Sequence, residues 1–180
     1  VPDKLTPASS ETVSVRRLSV SRGDSVPNND RFPAVLARNA LGDARDDAAV
    51  RRLMEGNGWG GTWTWRVFDF HHFHPDCFEA LAVARGSARL ILGGPQGEEV
   101  EVKAGDVAIL PPGFGHRQLS ASDDFAICGA YPPRQEDYSV IRADEGYDDA
   151  MLRQIASVAV PESDPVWGGA GPLLKALRDG

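Results

Sequence analysis

From residue 60 onward the apolar positions fall into short runs. "TWTWRVFDF" (62–70), "FEALAVAR" (78–85), "SARLIL" (87–92), "EEVEVK" (98–103), "DVAILP" (106–111) and "DFAICGAY" (124–131) are rich in Val, Ile, Leu, Trp or Phe. Each is bounded by Gly, Pro or Asp. Such runs predict strands, and regular spacing with turn signals predicts a sandwich or barrel. "GGPQGEE" (93–99) predicts a hairpin connection with Gly at its tip. Upstream, "VSVRRLSV" (13–20) alternates at its start and predicts one more strand, whereas "SRGDSVPNNDRFPA" (21–34) is turn chemistry. Helical patterning occurs in three places. In "DDAAVRRLMEGNGW", Asp46 or Asp47 caps a helix whose apolar face is Ala49, Val50, Leu53 and Met54, ended by Gly56. "DDAMLRQIASV" (148–158) and "GPLLKALRD" (171–179) predict two more short helices, the second with Pro172 near its start. Residues 1–12 are polar with two prolines and read as a loosely attached end.

With 180 residues, 42% hydrophobic and 25% charged, the chain suits one domain, residues 1–180. Its strand core spans about 62–131, flanked by a strand and helix extension at 13–61 and a helical extension at 132–180. The net charge of −7 lacks the electrostatic footprint for nucleic acid or an anionic membrane surface. That leaves a small molecule, or another copy of this chain, as the expected partner. Two cysteines, Cys77 and Cys128, make no disulfide framework. The first residues carry no apolar stretch of signal-peptide length, and no run is long enough to cross a bilayer. The expected location is therefore cytoplasmic.

Chemistry concentrates in "FHHFHPDCFE" (70–79), which holds three of the four histidines. His72 and His74 stand as HxH, and on an extended segment residues i and i+2 share a face. Glu79 follows across "PDCF", where Pro75 and Asp76 can turn the chain so that the next strand presents a carboxylate to the same spot. In "GDVAILPPGFGH" (105–116) a turn, a strand and a tight reversal deliver His116 inward. No P-loop, G-x-G-x-x-G, G-x-S-x-G or CxxC competes with this constellation.

"HFHPDCFEALAVARG" reads H-x-H-x4-E-x6-G, and "GDVAILPPGFGH" reads G-x5-P-x-G-x2-H. In order and in ligand spacing these resemble the two motifs of the cupin superfamily. The resemblance covers about residues 62–131. "NGWGGTW" (57–63), "GAYP" (129–132) and "DPVWGGAGPLL" (164–174) are similar to a functionally unassigned bacterial subgroup of small single-domain cupins. Two positions depart from the family pattern. Arg66 stands where a Gly is usual, and Ser120 where an Asn is usual. The resemblance implies an all-β double-stranded β-helix (jelly-roll) barrel with short terminal helices, and a homodimer, which light scattering in solution checks. It also implies one divalent metal held by His72, His74, Glu79 and His116. Three imidazoles and a carboxylate suit Fe, Mn, Ni, Co, Cu or Zn and are too nitrogen-rich for calcium. An ion preferring six ligands keeps positions for water, substrate or dioxygen. The expected function is a metal-dependent enzyme on a small organic molecule, dioxygenase-like oxidation ahead of isomerase or lyase. A module that only binds a small ligand or senses metal is the reading from another class.

The remaining candidates are weaker. His71 has the opposite parity to the HxH pair and faces outward or backs the ligands. Cys77 lines the pocket or is a small buried apolar side chain, the usual fate of free Cys. Cys128, Phe73 and Phe78 read as core. Phe114 shields the metal or plugs the barrel mouth. Trp63, Trp65 and Phe125 are pocket candidates. Tyr131, Arg89, Gln118 and Cys77 are the thin field of general acids or bases.

Overall fold

The computed structural model describes residues 4–42 and 46–179. Residues 1–3 of the polar start lie outside them. Eleven strands form two sheets: β1 (Val15–Leu18), β2 (Ala34–Ala37), β3 (Gly60–Trp65), β4 (His72–Phe73), β5 (Glu79–Arg85), β6 (Ser87–Leu92), β7 (Glu98–Lys103), β8 (Val107–Leu110), β9 (His116–Ala121), β10 (Ala126–Tyr131) and β11 (Ile141–Arg142). One sheet runs β1-β2-β8-β5-β10-β3 and the other β11-β4-β9-β6-β7. Every pairing is antiparallel. The expected all-β jelly roll with short helices is what forms. Its strands make two facing sheets, with no closed hydrogen-bonded barrel among the described residues.

Pleating explains why the six-stranded sheet is apolar on both faces. Along β5, Leu81 and Val83 point into the space between the sheets, where Leu90, Leu92, Val100 and Val102 meet them. Phe78, Ala80, Ala82 and Ala84 point the other way, onto Val50, Met54, Leu173, Leu174 and Leu177. Those residues belong to helices α1 (Asp47–Gly56) and α3 (Pro172–Arg178). A third helix, α2 (Asp149–Ser157), buries Ile155. Small alanines on the outer face let the helices approach closely. No helix among the described residues is long and apolar enough to cross a membrane.

Two strands escape the sequence pattern. β2 is "AVLA", fully buried, so it shows no alternation and sits beside turn residues. β9 is "HRQLSA", largely polar, and pairs with β6 on a sheet face that reaches solvent. The start of the chain also differs from its expected looseness. Ala8 donates its N–H to the Ala40 carbonyl and accepts from the Trp167 indole, so a backbone bond and a half-buried aromatic fix it.

Helix α1 begins as its sequence predicts, with the Asp46 carboxylate accepting from the Ala48 N–H at 3.0 Å. Its next residue, Asp47, ties the helix to the sheet. Asp47 accepts from Arg85 at 2.9 Å, Thr64 at 2.8 Å and Arg51 at 2.6 Å. The Arg85 and Thr64 bonds lower its pKa from 3.8 to about 2, against the opposing effect of burial. A depressed carboxylate contributes stability above its unfolded pKa and loses it as pH falls through about 2. Asp47→Asn is therefore expected to cost about 1–2 kcal/mol at neutral pH, after discounting a partly solvated site. Urea midpoints of the two proteins should converge as pH falls from about 4 toward about 2. A gap that stays constant over that range counts against the charge argument.

Candidate metal centre

The two sheets bring the candidate ligands together. β4 and β9 pair with His72 opposite His116. His74 follows β4 directly, and Glu79 opens β5 on the facing sheet. One ligand nitrogen from each of His72, His74 and His116 lies within 4.8 Å of the others. Glu79 reaches across, with Oε2 3.5 Å from His74 Nε2 and Oε1 3.2 Å from His116 Nε2. All four side chains are buried.

Each imidazole is fixed from behind. His72 Nδ1–H donates to the Phe70 carbonyl at 3.0 Å, His74 Nδ1–H to Ser139 at 2.8 Å and His116 Nδ1–H to Phe114 at 3.1 Å. Those bonds select the tautomer in which Nε2 carries a lone pair, and they aim all three lone pairs at one place. Glu79 Oε1 is buried with no hydrogen-bond donor, because the nitrogen nearest it, His116 Nε2, is one of those lone pairs. A buried carboxylate oxygen facing lone pairs is unfavourable unless a cation or proton lies between them. This donor set fits a first-row divalent ion.

Electrostatics follow. Burial, reinforced by the His116 charge, pushes His72 down to about 2. Burial also pulls on His74, but Glu79 outweighs it and the net direction is up. Burial raises Glu79, yet the charges of His74 and His116 beside it hold it well below the carboxylate range. Without an ion, the raised His74 and lowered Glu79 favour a proton on the imidazole beside the carboxylate.

The second-motif loop that delivers His116 is held from the N-terminal segment. Gly115 N–H donates to Asn28 Oδ1 at 3.1 Å, and Asn29 donates to the Pro112 carbonyl at 3.0 Å. Gly113 has φ +85°, and a Cβ there would meet the Asn28 carbonyl at 2.5 Å, so only glycine fits this turn.

Glu79 Oε2 accepts from the Tyr131 hydroxyl at 2.7 Å, which in turn accepts from the Trp63 indole at 2.7 Å. Burial, then the Glu79 charge, raises the Tyr131 pKa, so the hydroxyl stays a donor. Trp63 lies over Gly129, where a Cβ would sit 2.2 Å from its ring. The absent side chain is what lets the indole reach Tyr131.

Above the cluster opens a cavity of about 260 Å³. Beyond the four candidate ligands its wall is Trp63, Trp65, Arg66, Val67, Phe68, Leu81, Tyr138 and Val140. Trp65 stays 51% exposed at the mouth and packs edge-on against Phe68 at 5.2 Å. Tyr138 lies tilted against Tyr131 at 4.2 Å and meets His74 edge-on at 4.8 Å.

Other candidates lie elsewhere. His71 faces a separate surface depression with Asp69, Arg117 and Arg142, away from the ligands. Cys77 and Cys128 are buried free thiols outside the cavity wall, and burial raises both. Phe114 packs in the core between the sheets, and its contribution to the site is its carbonyl. Phe125 belongs to that same core. Gln118 is off the cavity, but it accepts from Val67 N–H and donates its own N–H to the Phe68 carbonyl, so it holds the wall. Arg89 pairs with Glu99 on the surface.

Sequence reasoning missed Tyr138, Ser139 and Val140. They precede β11, a strand within the extension expected to be helical, which pairs with β4. The usable signal was Asp76. Its carboxylate accepts from Ser139 N–H at 3.0 and 3.1 Å, placing the Ser139 carbonyl behind His74.

Residues 65–127 match the Cupin domain family. A protein of Bacillus subtilis (strain 168), Uncharacterized protein YjlB, is 35% identical over 150 residues, covering 83% of this chain and 88% of that one. Among solved structures, acireductone dioxygenase from Bacillus anthracis, with a cadmium ion in its active center, is 16% identical. That match covers 49% of this chain and 60% of the other, with a TM-score of 0.36. A conserved protein with a double-stranded β-helix domain from Klebsiella pneumoniae is 19% identical, covering 70% of this chain and 84% of the other, with a TM-score of 0.36.

Proposed function

The chain belongs to the cupin superfamily, and from that premise we propose that it is a metal-dependent enzyme acting on a small organic molecule, with dioxygenase-like oxidation ahead of isomerase or lyase chemistry. His72, His74, Glu79 and His116 would hold one divalent first-row metal. The observation that carries this reading is the buried, donorless Oε1 of Glu79 facing imidazoles whose Nδ1 atoms are already committed. When bound, such an ion supplies Lewis-acid polarisation of a substrate oxygen and, if redox-active, a route for electrons to dioxygen. The protein's own residues do the rest. Trp63, Val67, Phe68 and Leu81 exclude water and orient an apolar body. Tyr131 holds the Glu79 carboxylate in place through Oε2.

One observation favours the alternative of a non-catalytic small-ligand or metal-sensing module. Among the described residues outside the candidate ligands, the cavity wall offers only the Tyr138 hydroxyl and the Arg66 guanidinium as strongly protic side chains, besides the indole N–H groups. Elemental analysis of protein purified without added metal tests the shared premise. The expected result is close to one first-row metal per chain, or saturation at one on titration. No metal and no binding would refute both readings. Oxygen uptake with a panel of small enolisable acids then separates enzyme from binder.

A further inference from the structure

Among the described residues, Arg16, Arg22, Arg38, Arg51, Arg85, Arg89 and Arg142 each sit within ion-pair distance of a carboxylate. Arg66 does not. It follows the last residue of β3, is exposed, and has no hydrogen bond or ion pair among the described residues. It also lines the cavity above the candidate metal centre. Arg66 borders a neighbouring depression that contains Asp123, but no ion pair joins the two.

Around Arg66 the cavity wall is apolar and aromatic: Trp63, Trp65, Val67, Phe68, Leu81 and Val140. Among the described residues, the only carboxylate on that wall is Glu79, which already faces Tyr131, His74 and His116. A guanidinium offers a planar fork of donors that matches a carboxylate in two parallel bonds. Apolar walls on either side hold back competing water and strengthen such a pair. At about 260 Å³ the space falls just short of the ~300–1,000 Å³ of drug-sized pockets, so the ligand is compact.

Building on the reading that this cavity takes a small organic molecule, we propose that Arg66 is its specificity-determining residue. It selects a carboxylate carried on a compact apolar or aromatic body. The body lies against Trp63, Phe68 and Leu81, and the carboxylate meets the guanidinium at the mouth.

Trp63 and Trp65 make binding visible as a change in tryptophan fluorescence of the full chain. The probes are phenylacetate and its neutral isostere phenylacetamide, each titrated into wild type, R66Q and R66K. Wild type is expected to prefer the acid, and R66Q to shrink that preference on the order of tenfold, the size expected of a partly shielded charge-assisted pair. R66K should fall between them, because it keeps the charge and loses the fork. Metal content, measured in parallel, should be the same in all three. An acid preference that is equal in wild type and R66Q would place it at the metal and overturn the role of Arg66. So would the absence of any response to either probe at millimolar concentration. An Arg66-dependent preference in protein that binds no metal would sustain this proposal while refuting the metal reading.

Discussion

Replacing His74 with alanine is expected to lower metal affinity by at least about 100-fold and to leave the purified protein nearly metal-free. Losing only the hydrogen-bonding partner behind a metal-binding histidine costs about 10–100-fold, and losing the histidine itself costs no less. His74 also faces Glu79 at 3.5 Å in a buried setting. Its removal therefore leaves a carboxylate with one partner fewer, and breaking a buried pair typically costs about 3–5 kcal/mol. Affinity must accordingly be measured on protein shown to be folded by circular dichroism. His71→Ala is the control. It changes a neighbour in sequence whose side chain lies in another depression, and metal occupancy should not move. Metal binding by wild type should weaken as pH falls through the raised pKa of His74, because the proton competes for Nε2. H74A should show a shallower dependence. Full occupancy in a folded H74A protein removes this residue from the ligand set.

What the sequence revealed of this site was whatever depends on short-range geometry. The parity of an extended segment put His72 and His74 on one face, and a short turn separated them from Glu79. The caps of α1 and α3 were readable for the same reason, since Asp46 and Pro172 act within one turn of themselves. The strands β6 and β7 matched their predicted bounds because one of their faces reaches solvent and their apolar positions alternate.

Hidden features share a different cause, which is dependence on residues far along the chain. β2 carries no alternation because both its faces are buried, one under α3 and one between the sheets. The run 62–70 reads as one strand, but the chain leaves the sheet after Trp65, and Phe68 turns onto the cavity. Gln118, some 50 residues later, holds that departure by bonding Val67 and Phe68. Tyr138 and Ser139 have no periodic signal at all. Their positions come from β11 pairing with β4 and from Asp76 capturing the Ser139 N–H. A carbonyl behind a histidine has no residue type to announce it, so the backing of His74 was beyond pattern reading.

Tyr131→Phe is expected to weaken metal binding about 10–100-fold while leaving the fold intact. The hydroxyl donates to Glu79 Oε2 at 2.7 Å, and the ring is completely buried. Phenylalanine keeps the ring against Tyr138 and removes only the oxygen. Glu79 would then lose the bond that fixes its rotation, and the Trp63 indole would lose its acceptor. The cost to stability should be about 1–2 kcal/mol, the range for a single buried hydrogen bond left unmade. Comparing two quantities separates positioning from mere structural support. One is the metal dissociation constant, and the other is the urea midpoint of metal-free protein. A positioning role predicts a large change in the first and a modest change in the second. Loss of stability with an unchanged dissociation constant would reduce Tyr131 to a core residue. Trp63→Phe serves as the graded case. It deletes the outer bond of the same chain but leaves Tyr131 donating to Glu79, so its effect on metal affinity should be smaller than that of Y131F. Equal effects would mean that Glu79 is held by the indole as much as by the phenol, through the orientation the indole imposes on the hydroxyl.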